Sequence, residues 1–489
     1  MAKNVLYSFH ALNFKRLCYL GCNYQEVDMN RYQQLAEAIK QQIKQKTWRV
    51  GEKIPSLRAA SKSYSVSSST VLQAYHLLEA QGWIKAKPQS GYFVCVHSAN
   101  TVNQRGGLSD CDNYNDKLFD YMKTSGTKGY DLGSPFPHFS LFPFSELNRH
   151  MVSAGRKVNF DMIVENQPPG NEALRRIIAQ RYLAQGVMIC HDDITITSGA
   201  MDALNMSLQV TCEPGDTVIV ESPSFYGAIQ SIKRAGLKVI EVEVCPRQGI
   251  NLEQLSAAFE QYDVRACWLM VNFHNPTGSV LSDAKKSQLL ELANKYDVLI
   301  IEDDVYADLY FGSQKPRPIK YWDVEDRVLL CGSFSKSLAP GYRIGWVVNH
   351  RFSQKLQKCQ FLSTLAVSAP VQEGIADYLK YSSYDNHLRK LRKKFHQNME
   401  SFCTNLESQL PDTTVVNRPD GGYFIWVQFP SNVNTEKLYY KLLEQDISVA
   451  YGELFAFYKG YESCLRVNVS QVSTDEIPFV VVKIAQFIK

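Results

Sequence analysis

The sequence lacks long apolar runs. No stretch of about 18 consecutive apolar residues occurs among its 489 residues, so a membrane-spanning helix is excluded on length. CxxC pairs and histidine clusters at zinc-ligand spacing are also missing, although the chain has 12 cysteines. Scattered cysteines are typical of reduced, mostly buried thiols. We therefore expect a soluble cytoplasmic protein with no membrane association and no metal.

Compositional bias is absent as well. Hydrophobic residues make up 45% of the chain and charged residues 21%, close to the averages of globular proteins. A mainly disordered, collagen-like or coiled-coil chain is thereby excluded. A length of 489 residues predicts two or three folded units, since one domain typically has about 100–200 residues.

Charge is distributed unevenly along the chain. Residues 29–97 contain ten basic and three acidic side chains and therefore carry a net charge of +7, whereas the whole chain carries +4. The other 420 residues therefore carry −3. A small basic module on a larger, slightly acidic body is typical of a nucleic-acid-binding head attached to a separate domain.

The basic module has a recognisable order of elements. Residues 30–46 place apolar side chains at helical spacing, and Pro55 with Ser56 is suited to open a second, short helix. The hydroxyl-rich segment 66–70 is suited to cap a third helix. Residues 82–94 predict two short strands joined by a tight turn. Three helices followed by a hairpin predict a winged helix-turn-helix.

This module resembles the GntR class of bacterial regulators, whose pattern is matched by IPSLRAASKSYSVSSSTVLQAYHLLEAQG. In a winged helix-turn-helix the third helix enters the major groove, and the wing lies against phosphates. The expected DNA contacts are Arg58, Ser67, Ser69, Thr70, Lys85, Lys87, Ser90 and Gly91. Ser68 stands where many of these regulators have an arginine, so a bidentate guanine contact is missing there. The alternative is a module that makes protein contacts only.

The predicted domain boundaries follow from this match and from composition. We expect an N-terminal extension over residues 1–28, with Met29 a candidate start, and the winged helix-turn-helix over 29–97. Residues 98–129 are rich in Asn, Asp, Ser, Thr and Gly and predict a linker. A large domain then occupies 130–489.

The large domain has the pattern of an α/β fold. Short apolar strands alternate with helical patterns, which predicts a mostly parallel sheet covered on both faces. The predicted strands are 194–197, 217–220, 238–242, 267–271, 298–301 and 328–330. In such a sheet the function is expected at the carboxyl ends of the strands.

Polar motifs follow four of these strands. Ser198-Gly199-Ala200 opens a helix, and Asn275-Pro276-Thr277-Gly278 follows the strand 267–271. Asp303 and Tyr306 follow the strand 298–301, and Ser333-Phe334-Ser335-Lys336 ends the strand 328–330. Pyridoxal phosphate needs a lysine, an acid at the pyridine nitrogen, donors to the ring hydroxylate, a stacking aromatic ring and a phosphate cup. Each of these parts has a candidate here.

In these motifs, together with a late Arg-x-Asn at 466–468, the chain resembles fold-type I pyridoxal-phosphate aminotransferases over 130–489. The resemblance implies catalytic roles for Lys336, which would form the internal aldimine, Asp303 and Tyr306. It implies cofactor binding by Gly199, Ala200, Met201, Phe225, Asn275, Asp303, Tyr306, Ser333, Ser335, Lys336 and Arg343. Arg466 would grip the α-carboxylate of a substrate or effector, and a smaller domain would begin at about residue 360.

A head of the GntR class on an aminotransferase-like body resembles the MocR type of transcription regulators. The resemblance implies a homodimer that binds double-stranded DNA at paired half-sites. Its body would sense pyridoxal 5'-phosphate, or an amino acid or amine, through an aldimine. One departure is Glu165, since aminotransferases of this type usually carry near it a tyrosine that reaches the neighbouring cofactor's phosphate. The alternative function is an active aminotransferase with an attached DNA-binding head.

Overall fold

The structure is a computed structural model that describes residues 30–44, 47–48, 51–80, 83–87, 90–94, 110–124, 129–458 and 460–488. The chain divides into two compact units, Met1–Gly107 and Leu108–Lys489, which we call the head and the body. The predicted extension over residues 1–28 lies outside the described residues.

The head has the predicted order of three helices and a hairpin. Its elements are α1 (Arg31–Lys44), α2 (Leu57–Tyr64), α3 (Ser68–Ala80), β1 (Ile84–Lys87) and β2 (Gly91–Val94). Ser56 caps α2, because its side chain accepts a hydrogen bond from the Ala59 N–H. Val71, Tyr75 and Leu78 of α3 are fully buried, as their helical spacing predicts.

The predicted linker contains a helix, which corrects the expectation of an irregular segment over 98–129. Helix α4 (Asp110–Thr124) carries Leu118 and Tyr121, and both are buried in the apolar core of the body. The apolar residues Tyr114, Leu118 and Tyr121 recur at helical spacing, although polar residues surround them. Tertiary burial of Leu118 and Tyr121 is the physical reason that α4 belongs to the body.

The other elements of the body follow α4. Its strands are β3 (Tyr130–Asp131), β4 (Ile194–Thr197), β5 (Thr217–Ser222), β6 (Lys238–Cys245), β7 (Gly249–Ile250), β8 (Val264–Leu269), β9 (Leu299–Asp303), β10 (Val328–Ser333), β11 (Gly345–Val348), β12 (Val415–Val416), β13 (Phe424–Gln428), β14 (Ile447–Ser448), β15 (Ala450–Tyr451) and β16 (Cys464–Asn468). Its helices are α5 (Phe144–Arg156), α6 (Phe160–Glu165), α7 (Glu172–Leu183), α8 (Ala200–Thr211), α9 (Tyr226–Arg234), α10 (Leu252–Gln261), α11 (Asp283–Lys295), α12 (Ser353–Thr364), α13 (Ala369–Tyr381), α14 (Tyr384–Gln409), α15 (Thr435–Leu443) and α16 (Ile477–Gln486).

The central sheet has eight strands in the order β4-β11-β10-β9-β8-β5-β6-β7. Strands β10, β9, β8, β5 and β6 run parallel to one another. The outer strands differ, since β11 runs antiparallel to β10 and β4, and β7 runs antiparallel to β6. The predicted α/β class with a mostly parallel sheet is confirmed.

Helices cover both faces of this sheet. Val218 and Val220 of β5 belong to an apolar cluster with Leu204 of α8. Ile219, between them, belongs to a second cluster with Leu289 of α11. Because neighbouring side chains of a strand point to opposite faces, near-continuous apolar strands require this double cover.

A second sheet forms the smaller part of the body, in the order β12-β13-β16-β15. Strand β14 pairs separately with β3, far away in the chain. The apolar core here includes residues of α14 and α16, and also Leu118, Tyr121 and Leu132. The smaller part therefore takes residues from before the central sheet as well as from after about residue 360.

Eight cysteines of the described residues are free thiols: Cys190, Cys212, Cys245, Cys267, Cys331, Cys359, Cys403 and Cys464. Within the same residues, none of the helices combines the length and the apolar character needed to cross a membrane.

Candidate functional site

The predicted site residues meet at one edge of the central sheet. Asp303 is the last residue of β9, and Ser333 is the last residue of β10. These strands are parallel, with Asp303 beside Cys331. Their carboxyl ends therefore bring both polar side chains to the same edge.

A cavity of about 300 Å³ lies at this edge. Of the predicted residues, it is lined by Ala200, Met201, Phe225, Asp303, Tyr306, Ser333, Ser335, Lys336 and Arg343. Gly199, Asn275 and Arg466 do not line it but contact residues at the site. The cavity has a largely apolar wall with a few convergent polar groups, which is typical of a small-molecule site.

Lys336 follows β10, and its side chain lies within the cavity wall. Its Nζ donates a hydrogen bond of 2.7 Å to the carbonyl oxygen of Pro135. The same atom lies 3.9 Å from the ring centroid of Phe136. Burial, together with the positive charge of Arg466, lowers the pKa of Lys336 to about 7. An amine with this pKa is partly unprotonated at neutral pH and is therefore nucleophilic.

Asp303 is buried opposite this amine. Burial raises the pKa of Asp303 to about 7, and the positive charge of Lys336 opposes that shift. Within the described residues, its Oδ1 has no hydrogen-bond partner. A buried carboxylate oxygen without a donor is costly, so this group is suited to a ligand that brings a positively charged N–H.

Asn275, Tyr306 and Arg466 form a hydrogen-bonded chain. The Asn275 Nδ2 donates to the Tyr306 hydroxyl at 3.3 Å, and Arg466 Nη1 donates to Asn275 Oδ1 at 2.9 Å. Arg466 Nη2 donates to the Gly133 carbonyl oxygen at 2.6 Å. Arg466 is completely buried, and its guanidinium carbon lies 4.2 Å from the ring centroid of Phe424.

The residues around Gly199 and Arg343 have the features of an anion-binding site, which we call the cradle. Gly199 precedes α8 and has a φ of +90°, and a Cβ there would lie 2.3 Å from Arg343 Nη2. With glycine at this position, no side chain caps the first-turn N–H groups of α8. Arg343 Nη1 donates to Ser335 Oγ at 3.2 Å, and the Ser335 N–H donates to Ser333 Oγ at 2.9 Å. A helix N-terminus, an arginine and two hydroxyls are suited to a phosphate.

Sequence reasoning missed several residues of the cavity: Met122, Pro135, Phe136, Leu204, Met270, Val305 and Pro340. Met122 lies on α4, whose helical spacing was the available signal. Pro135 and Phe136 lie in a loop that no motif marks. Phe225, which the resemblance assigns to cofactor binding, and Tyr226 both line the cavity, with ring centroids 4.7 Å apart.

The eight predicted DNA contacts all lie in the head and are all described. The Ser67 hydroxyl is 2.8 Å from both the Ser69 and Thr70 hydroxyls, at the N-terminus of α3. On the hairpin, Lys85 pairs with Phe93 and Lys87 with Gly91. The side chains of Arg58, Ser67, Ser69, Lys85, Lys87 and Ser90 are exposed, whereas Thr70 and Gly91 are half-buried.

The two departures from the family patterns are also visible. Ser68 begins α3 and is exposed, and Glu165 ends α6 and is exposed. Ser68 cannot make the guanine contact of the arginine found in many GntR regulators. Glu165 cannot make the phosphate contact of the tyrosine usual in these aminotransferases.

Comparison with known proteins identifies both parts of the chain. Residues 31–94 match the family "Bacterial regulatory proteins, gntR family", and residues 159–484 match "Aminotransferase class I and II". The chain is 42% identical to the uncharacterized HTH-type transcriptional regulator YdcR of Escherichia coli, over 90% of this chain and 95% of YdcR. It is 35% identical to the uncharacterized HTH-type transcriptional regulator YjiR of the same organism, over 90% of this chain and 95% of YjiR.

Among solved structures, the body is similar to the kynurenine aminotransferase of Pyrococcus horikoshii, determined with PMP. The TM-score is 0.71 at 26% identity, covering 76% of this chain and 94% of that one. These matches confirm the predicted combination of a GntR head with an aminotransferase-like body. The roles of the individual site residues stay predictions.

Proposed function

Because the chain belongs to the HTH-type transcriptional regulators that join a GntR head to an aminotransferase-like body, we propose that its body binds pyridoxal 5'-phosphate. We further propose that an amino compound bound beside this cofactor changes the affinity of the head for DNA. The observation that supports this most directly is that Lys336 and Asp303 line the same cavity.

The residues present fit this cofactor. Asp303 has an oxygen without a donor, which suits a protonated pyridine nitrogen. Arg343, Ser333, Ser335 and the uncapped N-terminus of α8 form a cradle for its phosphate. Lys336 supplies an amine for its aldehyde.

Each side chain has a separate task in this proposal. When bound, pyridoxal 5'-phosphate supplies an aldehyde that condenses with an amine, and a protonated ring that withdraws electrons. Lys336, with its lowered pKa, holds a lone pair at Nζ near neutral pH. Tyr306 and Asn275 place hydrogen-bond donors beside each other for the ring oxygen. Phe225 and Phe136 keep water away from Nζ.

Arg466 favours an amino acid over a simple amine as the effector. A planar guanidinium can donate two parallel hydrogen bonds to a carboxylate. Its complete burial strengthens this attraction, because the effective dielectric constant there is lower than in water. Its Nη1 and Nη2 now donate to Asn275 and Gly133, so a carboxylate that takes both of these nitrogens competes with Gly133 for Nη2.

For the head, we propose that the hydroxyl cluster at the N-terminus of α3 enters the major groove and that Lys85 and Lys87 bind phosphates. The GntR match implies DNA binding, and the exposure of these side chains supports this assignment. A regulator that acts on bacterial DNA works in the cytoplasm.

We also propose a homodimer through the body. Exposed apolar side chains lie at the C-terminal end of α6, among them Val164, and at the C-terminal end of α12, among them Leu362. The C-terminal ends of the two helices lie close together, because Gln372 Nε2 donates to the carbonyl oxygens of both Asn166 and Val367. Adjacent exposed apolar side chains are typical of a protein–protein interface. Two heads would then bind paired half-sites.

The test is the absorption spectrum of the protein with added pyridoxal 5'-phosphate, followed by amino acids and simple amines. We expect a visible band that amino acids perturb. A Lys336→Ala variant should lose this band, and its DNA binding should no longer respond to the cofactor, whereas the exposed-lysine control Lys355→Ala should behave like the parent protein. Absence of the band in the parent protein would refute the cofactor assignment. Conversion to the pyridoxamine form, reversed by a keto acid, would identify an active aminotransferase.

A further inference from the structure

The loop 133–136, which we call the strap, is held almost entirely by side chains. All four of its carbonyl oxygens accept hydrogen bonds from side chains of the body. The donors are Tyr121 and Arg466 to Gly133, Asn468 to Ser134, Lys336 and Tyr423 to Pro135, and Asn468 and Gln471 to Phe136. The position of the strap therefore depends on where these donors point.

Two of these donors are the groups that would bind ligand. Lys336 Nζ donates to the Pro135 carbonyl oxygen at 2.7 Å, and Arg466 Nη2 donates to the Gly133 carbonyl oxygen at 2.6 Å. A cofactor on Lys336 and a carboxylate on Arg466 would each compete with the strap for a donor. Of the side-chain donors to its carbonyl oxygens, the strap would then keep Tyr423, Asn468, Gln471 and Tyr121.

Helix α4 is attached to the same strap. The Tyr121 hydroxyl donates to the Gly133 carbonyl oxygen at 2.9 Å, so α4 and Arg466 share one acceptor. The contact is close, because a Cβ on Gly133 would lie 2.3 Å from the Tyr121 hydroxyl. The next residue of the helix, Met122, lines the cavity itself.

Helix α4 also lies next to the head in the chain. Residues 95–109 separate it from β2, the last strand of the head. Helix α4 is therefore joined in sequence, through this segment, to the DNA-binding unit.

We propose that α4, through Tyr121, is the element that detects a carboxylate bound at Arg466. This inference rests on the proposed function, and it assigns the route by which the occupied site acts on the head. When a ligand carboxylate takes Arg466 Nη2, Gly133 loses one of its two side-chain donors, and the hold of the strap on α4 weakens. A ligand without a carboxylate leaves this donor on Gly133. The two ligand classes therefore stabilise different states of α4, as coupling between sites requires.

The test compares two stable cofactor adducts on the full-length protein by hydrogen–deuterium exchange. N-(5'-phosphopyridoxyl)-L-alanine carries the carboxylate, and N-(5'-phosphopyridoxyl)-ethylamine is the same molecule without it. We expect the first adduct to raise amide exchange in 110–124 by about three- to tenfold over the second, the range for loss of one hydrogen bond. Equal exchange with both adducts bound would overturn the proposal.

A Tyr121→Phe variant removes the shared hydrogen bond and keeps the ring. It should bind both adducts within about twofold of the parent affinities, yet lose the carboxylate-dependent difference in exchange. Tyr130→Phe is the matched control, because the exposed Tyr130 hydroxyl donates to Glu476 and not to the strap. If Tyr121→Phe retains the full difference, α4 does not detect the carboxylate through this bond.

Failure of this inference is distinguishable from failure of the proposed function. Binding of both adducts without a difference in α4 refutes only the role of Tyr121 and α4. If neither adduct binds to the parent protein, the cofactor site itself is wrong, and the inference falls with it.

Discussion

Asp303 and Lys336 line one cavity at the carboxyl ends of two neighbouring parallel strands, Asp303 as the last residue of β9 and Lys336 three residues after β10. The carboxyl raises the pKa of the amine and the amine lowers that of the carboxyl, yet burial is stronger and brings both pKa values to about 7. Strongly shifted pKa values of two charged groups in one cavity are typical of a functional site.

Replacing Asp303 by Asn should weaken binding of pyridoxal 5'-phosphate by about 10- to 100-fold, the range for loss of a charged hydrogen bond. It should also lower the pKa of Lys336, because the negative charge that raises it is gone. Spectroscopic titration at several pH values measures both effects. Asp412→Asn, at an exposed carboxylate, is the control, and equal affinities of the two variants would contradict the role of Asp303.

Replacing Gly199 by Ala should weaken cofactor binding at least about tenfold, because the new Cβ would collide with Arg343 Nη2 and strain a positive φ. Gly215→Ala separates these effects, since Gly215 has a φ of +96° but open space around it. Equilibrium binding of pyridoxal 5'-phosphate measures the outcome. An affinity loss of the same size in both variants would show that the cradle is not responsible.

Replacing Glu221 by Gln should make stability less dependent on pH. Glu221 Oε2 accepts a hydrogen bond from the Met270 N–H, and burial raises its pKa from 4.5 to about 8. The pKa of Glu221 is higher in the folded state than in the unfolded chain, so its protonated carboxyl stabilises the folded state. This stabilisation is fully present below pH 4.5 and is lost as the pH rises through about 8.

Glutamine does not titrate, so the stability of Glu221→Gln relative to the parent protein should increase by about 3 kcal/mol between pH ~5.5 and ~8.5. Chemical unfolding at several pH values measures this difference. The exposed Glu213→Gln variant should follow the parent protein. A difference that does not vary with pH would show that Glu221 is not the titrating group.

Replacing Lys85 and Lys87 together by Ala should weaken DNA binding at all sequences and reduce the salt dependence of log Kd by about 2, one for each lost phosphate contact. Binding to a fluorescent DNA duplex across a salt series measures the slope. Lys358→Ala, an exposed lysine of the body, should leave the slope unchanged. An unchanged slope in the double variant would remove the wing from the DNA interface.

Replacing Leu362 by Asp should weaken dimerisation about 100-fold, because a carboxylate would be buried without a partner at the proposed interface. Sedimentation over a concentration series measures the monomer–dimer equilibrium. Val324→Asp changes an apolar side chain that is even more exposed, at 91% against 73%, but lies outside the proposed interface. Equal behaviour of both variants would refute this interface.

Much of the site follows from local sequence. Residues of one short motif stay close to the strand that they follow. The positions of Asp303, Ser333 and Lys336 at or just after the ends of strands could therefore be predicted from sequence spacing. The winged helix was predictable for the same reason, since its helices and hairpin are adjacent in the chain. The predicted linker was wrong over 110–124, because the helix there is stabilised by burial in a distant core and not by its own composition.

The sequence by itself determined the class of fold, the order of the motifs and the chemistry of the candidate groups, because these depend on residue type and short spacing. Tertiary structure alone decided which distant groups meet: Arg466 with Asn275 and Gly133, and Lys336 with Pro135. Such contacts depend on how the two sheets and α4 pack, which no local pattern specifies. Burial likewise set the pKa values of Asp303 and Lys336, because desolvation exists only once the chain has folded.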